Sequence, residues 1–189
     1  MDDVGRIEIL LVGTGGQGIV LQGYILGRAS ALHGDKESTF IPSYGAEARG
    51  GESKAQVVIS DEPIDYPYVT KADVMVAMAT HAYEKFISTL KEDGVLLYDD
   101  ELVQLDEKSS GIKKFGIPAT KIAEELGNRV IANIVMLGFL IGATGVVSHE
   151  AMEKGVADSV PKKFLDLNVK AFQRGYDYAG LKSAVEAHG

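Results

Sequence analysis

Apolar runs of strand length alternate along this chain with stretches of helical spacing. Residues 7–12, 54–60, 73–79 and 95–98 are rich in Val, Ile, Leu, Met and Ala, as expected of strands covered on both faces. Residues 38–42 and 112–117 read as two further short strands. Residues 19–32 hold no proline and read as a helix. Residues 81–90 place Tyr83, Phe86, Ile87 and Leu90 on one helical face, with Asp93-Gly94 as the stop signal. Pro118 opens a helix that runs to Leu126, and residues 133–142 read as a buried helix. Ser148 caps a short helix over residues 148–156. Residues 161–178 form the last helix, with Phe164, Leu165, Asn168, Phe172 and Tyr176 at roughly helical spacing. Such alternation predicts an α/β domain whose helices layer on a mainly parallel sheet. No linker, repeat or low-complexity tract divides the chain, so residues 1–189 are read as one domain.

The turn after the first strand carries the first candidate chemistry: Gly13-Thr14-Gly15-Gly16-Gln17-Gly18. A strand, a glycine turn and a helix start together build an anion cradle. Glycines let the backbone approach a phosphate, and the free N–H groups of the first helical turn point at it. Gly13, Gly15 and Gly18 fit G-x-G-x-x-G, with Gly16 as an extra glycine. The fold predicted is a three-layer, Rossmann-like α/β domain. A tight strand-to-helix turn that binds nothing is the competing reading of the same residues.

Charge and cysteine content narrow the partners. A net charge of −8 argues against nucleic acid, whose phosphates require a basic face. With no cysteine, the chain forms no disulfide and offers no thiolate to an iron–sulfur cluster. No Cys/His metal set, nucleophile elbow or catalytic triad pattern is visible, so no catalytic residue is assigned. The N-terminus lacks a basic region followed by a long apolar one, and the apolar stretch 131–143 is too short to span a bilayer. The expectation is a cytoplasmic chain without a membrane partner.

A second unusual segment, residues 42–51, reads Pro-Ser-Tyr-Gly-Ala-Glu-Ala-Arg-Gly-Gly and lies between two strands. Such a loop belongs at the surface, where loops carry function. Arg49 offers a planar donor fork to a phosphate or carboxylate, and Ser43 and Tyr44 stand beside it. Taken alone, the segment reads more simply as a glycine-rich turn with a local Glu47–Arg49 pair.

The two motifs together change that reading. GTGGQG, PSYGAEARGG, VVISDEPIDYPYV, ADVMVAM and GVLLYDD resemble the gamma subunit of 2-oxoacid:ferredoxin (acceptor) oxidoreductases, the pyruvate/ketoisovalerate family. The resemblance covers residues 7–145, and SYGAEARGG with ISDEPIDYP looks most like the 2-oxoglutarate type. It implies a complex that oxidatively decarboxylates a 2-oxoacid to its acyl-CoA and passes the electrons to ferredoxin or a similar acceptor. It further implies alpha, beta and delta-type partner subunits, which hold thiamine diphosphate, Mg and iron–sulfur clusters. The absence of cysteine agrees with that division of labour. The role implied for this chain is structural, with residues 13–18, Ser43, Tyr44 and Arg49 lining the coenzyme A side. The isolated chain is expected to be inactive.

Other residues are weighed beside these. Thr80 and His81 follow a strand and could line a pocket, but Thr80 as a helix cap and His81 as a first-turn residue is the simpler reading. Asp99, Asp100 and Glu101 suggest a metal or, more simply, a solvated turn. Asn133 is read as a core polar group paired with backbone. Tyr66-Pro67-Tyr68 is a candidate interface patch. Two rival functions remain. One is an independent dinucleotide-binding oxidoreductase, although Asp35 and Glu37 precede the second strand and no acid ends it. The other is a pure assembly module with a vestigial glycine loop.

Overall fold

The computed structural model describes residues 5–44 and 51–186. β1 (Arg6–Thr14) leads through the glycine turn into α1 (Ile19–His33). β2 (Glu37–Tyr44) and β3 (Glu52–Ser60) follow, then β4 (Ala72–Ala77), α2 (Thr80–Phe86), β5 (Leu90–Asp99) and β6 (Lys113–Ile117). The rest is helical: α3 (Ala119–Glu125), α4 (Ala132–Thr144), α5 (His149–Ser159) and α6 (Leu165–Glu186).

The strands form one six-stranded sheet in the order β2-β3-β1-β4-β5-β6. β1, β4, β5 and β6 pair in parallel, whereas β3 pairs antiparallel with both β1 and β2. β3 therefore runs against the others, and the sheet is mainly parallel as expected.

Side-chain alternation along the strands builds a core on each face. Ile9 and Leu11 of β1, with Val74 and Val76 of β4, join α1, α3, α4, α5 and α6 in the larger core. Leu10 and Val12, with Met75 and Ala77, face the other way and pack under α2, Ile87, Leu90 and Val103. The predicted three layers are thus present, thick on one face and thin on the other. At the centre of the thick layer, α4 and α6 touch backbone to backbone. A Cβ on Gly138 would lie 1.9 Å from the Phe172 carbonyl oxygen, and one on Gly175 would lie 1.9 Å from that of Val135.

Several boundaries differ from the sequence reading. The helix expected over residues 81–90 ends at Phe86, continues as one tight turn over Ile87–Thr89, and gives way to β5 at Leu90. Asp93-Gly94 is no helix stop; it lies in a bulge inside β5, where the register with β4 jumps from Ala72–Leu90 to Val74–Val95. Ile87 and Leu90 reach the thin-side core as the helical spacing implies, but Leu90 does so as a strand residue paired with Ala72 of β4, a tertiary contact that overrides the local helical pattern. The last helix extends to Glu186. Ser148 caps α5 as expected, its hydroxyl accepting the Ala151 N–H at 3.2 Å.

Candidate functional site

The helices after β1 and β4 leave on opposite faces of the sheet, α1 on the thick side and α2 on the thin side. Two adjacent parallel strands whose connections diverge open a crevice at their carboxyl ends, the usual place for a ligand in an open α/β sheet. The glycine turn stands at that crevice, as expected.

Its geometry differs from a phosphate cradle in one respect. Three loop N–H groups are already used: Thr14 donates to Gln17 Oε1 at 2.7 Å, Gly15 to the Gly51 carbonyl at 2.7 Å, and Gln17 to the Thr14 carbonyl at 3.1 Å. Gly16 (φ 99°) and Gly18 (φ 76°) supply the left-handed backbone that the turn requires. Gly13 is needed for space, since a Cβ there would lie 2.5 Å from Gln17 Oε1 and 2.7 Å from Ile19. Gly18 caps α1 without a side chain, and no acid stands in the first turn. Asn133 of α4 leans over Gly18, however, with its Nδ2 2.4 Å from where a Cβ would be. Gly15 and Gly16 are exposed, and the loop turns Gly16 and Gln17 toward a neighbouring space.

These two residues line a cleft of about 220 Å³ with Met78, Leu102, Thr120, Arg129, Val130 and Ala132. The carboxyl end of β4 supplies Met78, the loop after β5 supplies Leu102, and α3 supplies Thr120. A short 3-10 turn, Arg129–Ile131, forms the outer rim. It exposes Val130 by 72%, although valine is apolar. The guanidinium of Arg129 lies 3.6 Å from Glu124 with both groups largely exposed, a pairing too weak to commit it. The cleft thus combines a mostly apolar wall, a few amide and hydroxyl groups, and one cation at its mouth. Its volume is below the range for a site that encloses a whole small molecule. It suits one arm of a larger ligand, with the opposite wall supplied from elsewhere.

The remaining predicted residues divide. Ser43 and Tyr44 reach the same sheet edge: Tyr44 pairs with Ser53, which pairs with Gly13. They stand on β2, with β3 between them and the glycine loop, and do not line the cleft; Tyr44 is 72% exposed. Arg49 and Glu47 lie outside the described residues. Thr80 is not the cap of α2, which Ala79 precedes; its hydroxyl donates to the Leu102 carbonyl and accepts the Gln104 N–H, pinning the loop behind the cleft. His81 is exposed. Asp99 is buried, and its carboxylate accepts the Thr120 N–H at 3.0 Å, the Thr120 hydroxyl at 2.6 Å and the Glu101 N–H at 3.1 Å. Burial pushes its carboxyl above the ordinary value, against the downward pull of those hydrogen bonds. It anchors the start of α3 and is no solvated turn residue. Among the described residues, no group of three or more His, Cys, Asp or Glu is placed to hold a metal ion. Asn133 pairs with backbone as expected, accepting the Ile134 N–H at 3.0 Å, with Nδ2 3.4 Å from the Gly18 carbonyl. Tyr66 and Tyr68 are half exposed, their rings 5.4 Å apart.

Met78, Leu102, Thr120, Arg129 and Val130 were not singled out in the sequence. Each follows a strand or precedes a helix, which is the only signal they carry. The dinucleotide reading loses its geometry as well. In the mononucleotide-binding fold the second strand lies beside the first and its end holds the ribose, whereas here β3 separates β2 from β1. No described helix is long and apolar enough to cross a membrane.

Comparison with known proteins accords with this architecture. Residues 8–178 match the family described as pyruvate ferredoxin/flavodoxin oxidoreductase. KorC, a 2-oxoglutarate synthase subunit of Methanocaldococcus jannaschii, is 51% identical over 176 residues, covering 92% of this chain and 94% of KorC. PorC, a pyruvate synthase subunit of Methanothermobacter marburgensis, is 37% identical over 174 residues, covering 90% and 96%. The gamma subunit of a keto/oxoacid ferredoxin oxidoreductase from Geobacter sulfurreducens superposes with a TM-score of 0.81 at 39% identity, over 92% of this chain and 98% of that one. The 2-oxoglutarate:ferredoxin oxidoreductase of Magnetococcus marinus was solved with 2-oxoglutarate, coenzyme A and succinyl-CoA bound. It superposes with a TM-score of 0.83 at 26% identity, over 94% of this chain and 31% of that longer one.

Proposed function

Because this chain belongs to the pyruvate ferredoxin/flavodoxin oxidoreductase family, we propose that it is the gamma-type subunit of a 2-oxoglutarate:ferredoxin oxidoreductase. In the reaction assigned, the 2-oxoacid loses carbon dioxide, two electrons pass to ferredoxin or a similar acceptor, and the acyl group joins the thiol of coenzyme A. The observation that carries this reading is the end-to-end likeness to 2-oxoglutarate synthase subunits.

Within that complex, the chain's part is to form one wall of the coenzyme A site. An arm of amides and short alkyl segments suits a narrow cleft walled by Met78, Leu102, Val130 and Ala132 with Gln17 and Thr120 interspersed. Arg129 at the mouth suits a phosphate. The ligand exceeds what about 220 Å³ encloses, so a partner subunit closes the site. Arg49, five residues after Tyr44 in the sequence, is assigned a second anionic contact. Thiamine diphosphate, Mg and iron–sulfur clusters belong to alpha, beta and delta-type partners, since this chain has no cysteine to ligate a cluster. Tyr66 and Tyr68 fit a partner-facing surface, where half-exposed aromatics are enriched.

The test is reconstitution. The purified chain alone should give no 2-oxoglutarate-dependent viologen reduction, and the co-purified complex should give coenzyme A-dependent turnover. Turnover by the chain alone would overturn the subunit reading. A complex whose coenzyme A affinity ignores Arg129→Glu and Val130→Asp would favour a pure assembly role.

A further inference from the structure

Two glutamines converge on one residue at the floor of the cleft. Gln17 spends both ends of its amide inside the protein: Oε1 accepts the Thr14 N–H at 2.7 Å and Nε2 donates to the Met78 carbonyl at 2.7 Å. Gln22, fully buried one turn into α1, donates from Nε2 to the Met78 sulfur at 3.0 Å. The Met78 N–H in turn donates to the Val12 carbonyl at 2.9 Å. Met78 is thus held at its nitrogen, its carbonyl and its thioether by the β1–α1 segment. Among the described residues, the side-chain Oε1 of Gln22 has no hydrogen-bond partner, so this amide is only half satisfied where it stands. A buried amide that leaves its oxygen bare costs stability, which argues that the contact with Met78 serves another end.

From this arrangement we infer that Gln17, backed by Gln22, is a positioning residue. It clamps Met78 and thereby sets the width of the switch-point cleft. The sequence placed Gln17 among the ligand contacts; each end of its amide makes a hydrogen bond inside the protein, so the fold fixes the orientation of the side chain. Its work is to tie the end of β1 to the end of β4 where the two crossovers diverge and, among the described residues, no backbone bond links the two beyond Met78. Loss of the tie lets the glycine loop and β4 separate, and the cleft loses its fit to whatever arm it receives. The inference rests on the assignment of the cleft to coenzyme A and deepens it.

The test uses Gln17→Glu, Gln17→Leu, Gln22→Leu and the rim variant Arg129→Glu, each in the full chain and in the assembled complex. In the full chain, amide hydrogen exchange reads the tie without activity. The Thr14 amide should stay protected in Gln17→Glu, which keeps the acceptor, and become fast-exchanging in Gln17→Leu. In the complex, Gln17→Glu and Gln17→Leu should both raise the KM for coenzyme A about tenfold, more than they lower kcat, and Gln22→Leu about threefold, because each loses its bond to Met78. A protected Thr14 amide in Gln17→Leu overturns the inference. So does a raised KM in Arg129→Glu with no change in either Gln17 variant, which leaves the coenzyme A reading standing. No change in any of the variants overturns both.

Discussion

Glycine is concentrated in two regions of this protein for opposite reasons. At the β1–α1 turn, Gly16 and Gly18 adopt left-handed backbone, and a Cβ on Gly16 would meet nothing within 4 Å. At the α4–α6 seam, Gly138 and Gly175 have ordinary helical backbone but no room, each facing a carbonyl oxygen 1.9 Å from its missing Cβ. At Gly16 glycine serves conformation beside open space, whereas at the seam it serves the close approach of two helices. Gly16 combines this backbone with a place on the cleft, whereas the seam glycines lie in filled space. Conservative substitutions separate the two.

The largest effect belongs to the seam. Gly138→Ala or Gly175→Ala drives a methyl into backbone, so overpacking falls at the upper end of its range, and helix propensity returns only about 1 kcal/mol. A net loss of about 2 kcal/mol is expected by urea denaturation, with coenzyme A affinity of the assembled complex unchanged. At the turn, Gly18→Ala combines left-handed strain with the displacement of Asn133, and a loss of about 1–2 kcal/mol is expected. Gly16→Ala carries strain alone. It should cost about 1 kcal/mol of stability but raise the KM for coenzyme A in the complex. Equal stability losses at Gly16 and Gly138, with no change in KM at Gly16, would erase the distinction.

The smallest effect is a dependence on pH that contrasts the two ends of the sheet. At the cleft end, burial holds the Asp99 carboxyl above its ordinary 3.8. Near the start of β1, burial also acts on Glu8, but N–H groups of Thr70 and Lys71 with the Arg6 guanidinium outweigh it and lower the carboxyl below 4.5. Glu8 therefore adds stability that is fully present above pH 4.5 and is lost as pH falls through its lowered folded value. Asp99 has the opposite sign: its charged form costs stability above its raised folded value, and that cost fades as pH falls through it toward 3.8. Glu8→Gln should destabilise at neutral pH and progressively less below pH 4.5, whereas the effect of Asp99→Asn should change in the other sense. Parallel pH profiles for the two variants would show that the two ends are not electrostatically distinct.

How far the fold was legible follows from the same physics. Continuous apolar runs such as residues 73–79 gave away buried strands, because parallel strands are covered on both faces. The β5 bulge was not legible, since Asp93-Gly94 signals any sharp turn and only the pairing of Leu90 with Ala72 decides between helix stop and bulge. The insertion of antiparallel β3 beside β1 is a matter of pairing, on which local pattern is silent. At the site, the glycine loop and its place at a strand end were legible. Gln17 was read as a ligand contact together with the rest of its loop; that its amide also bonds Met78, sixty-one residues away, depends on tertiary structure. Arg129 and Val130 enter the cleft through tertiary packing alone, and Asp99 was misjudged because burial by α3 cannot be read from three adjacent acids.

The central claim is that this chain provides one wall of the coenzyme A site in an assembled oxidoreductase. Hydrogen–deuterium exchange on the complex, with and without coenzyme A, tests it most directly. Protection is expected in two separate segments of this chain, residues 13–18 and 128–132, with no change in the α4–α6 seam. Protection confined to the partner subunits, with both segments unaltered, would contradict it.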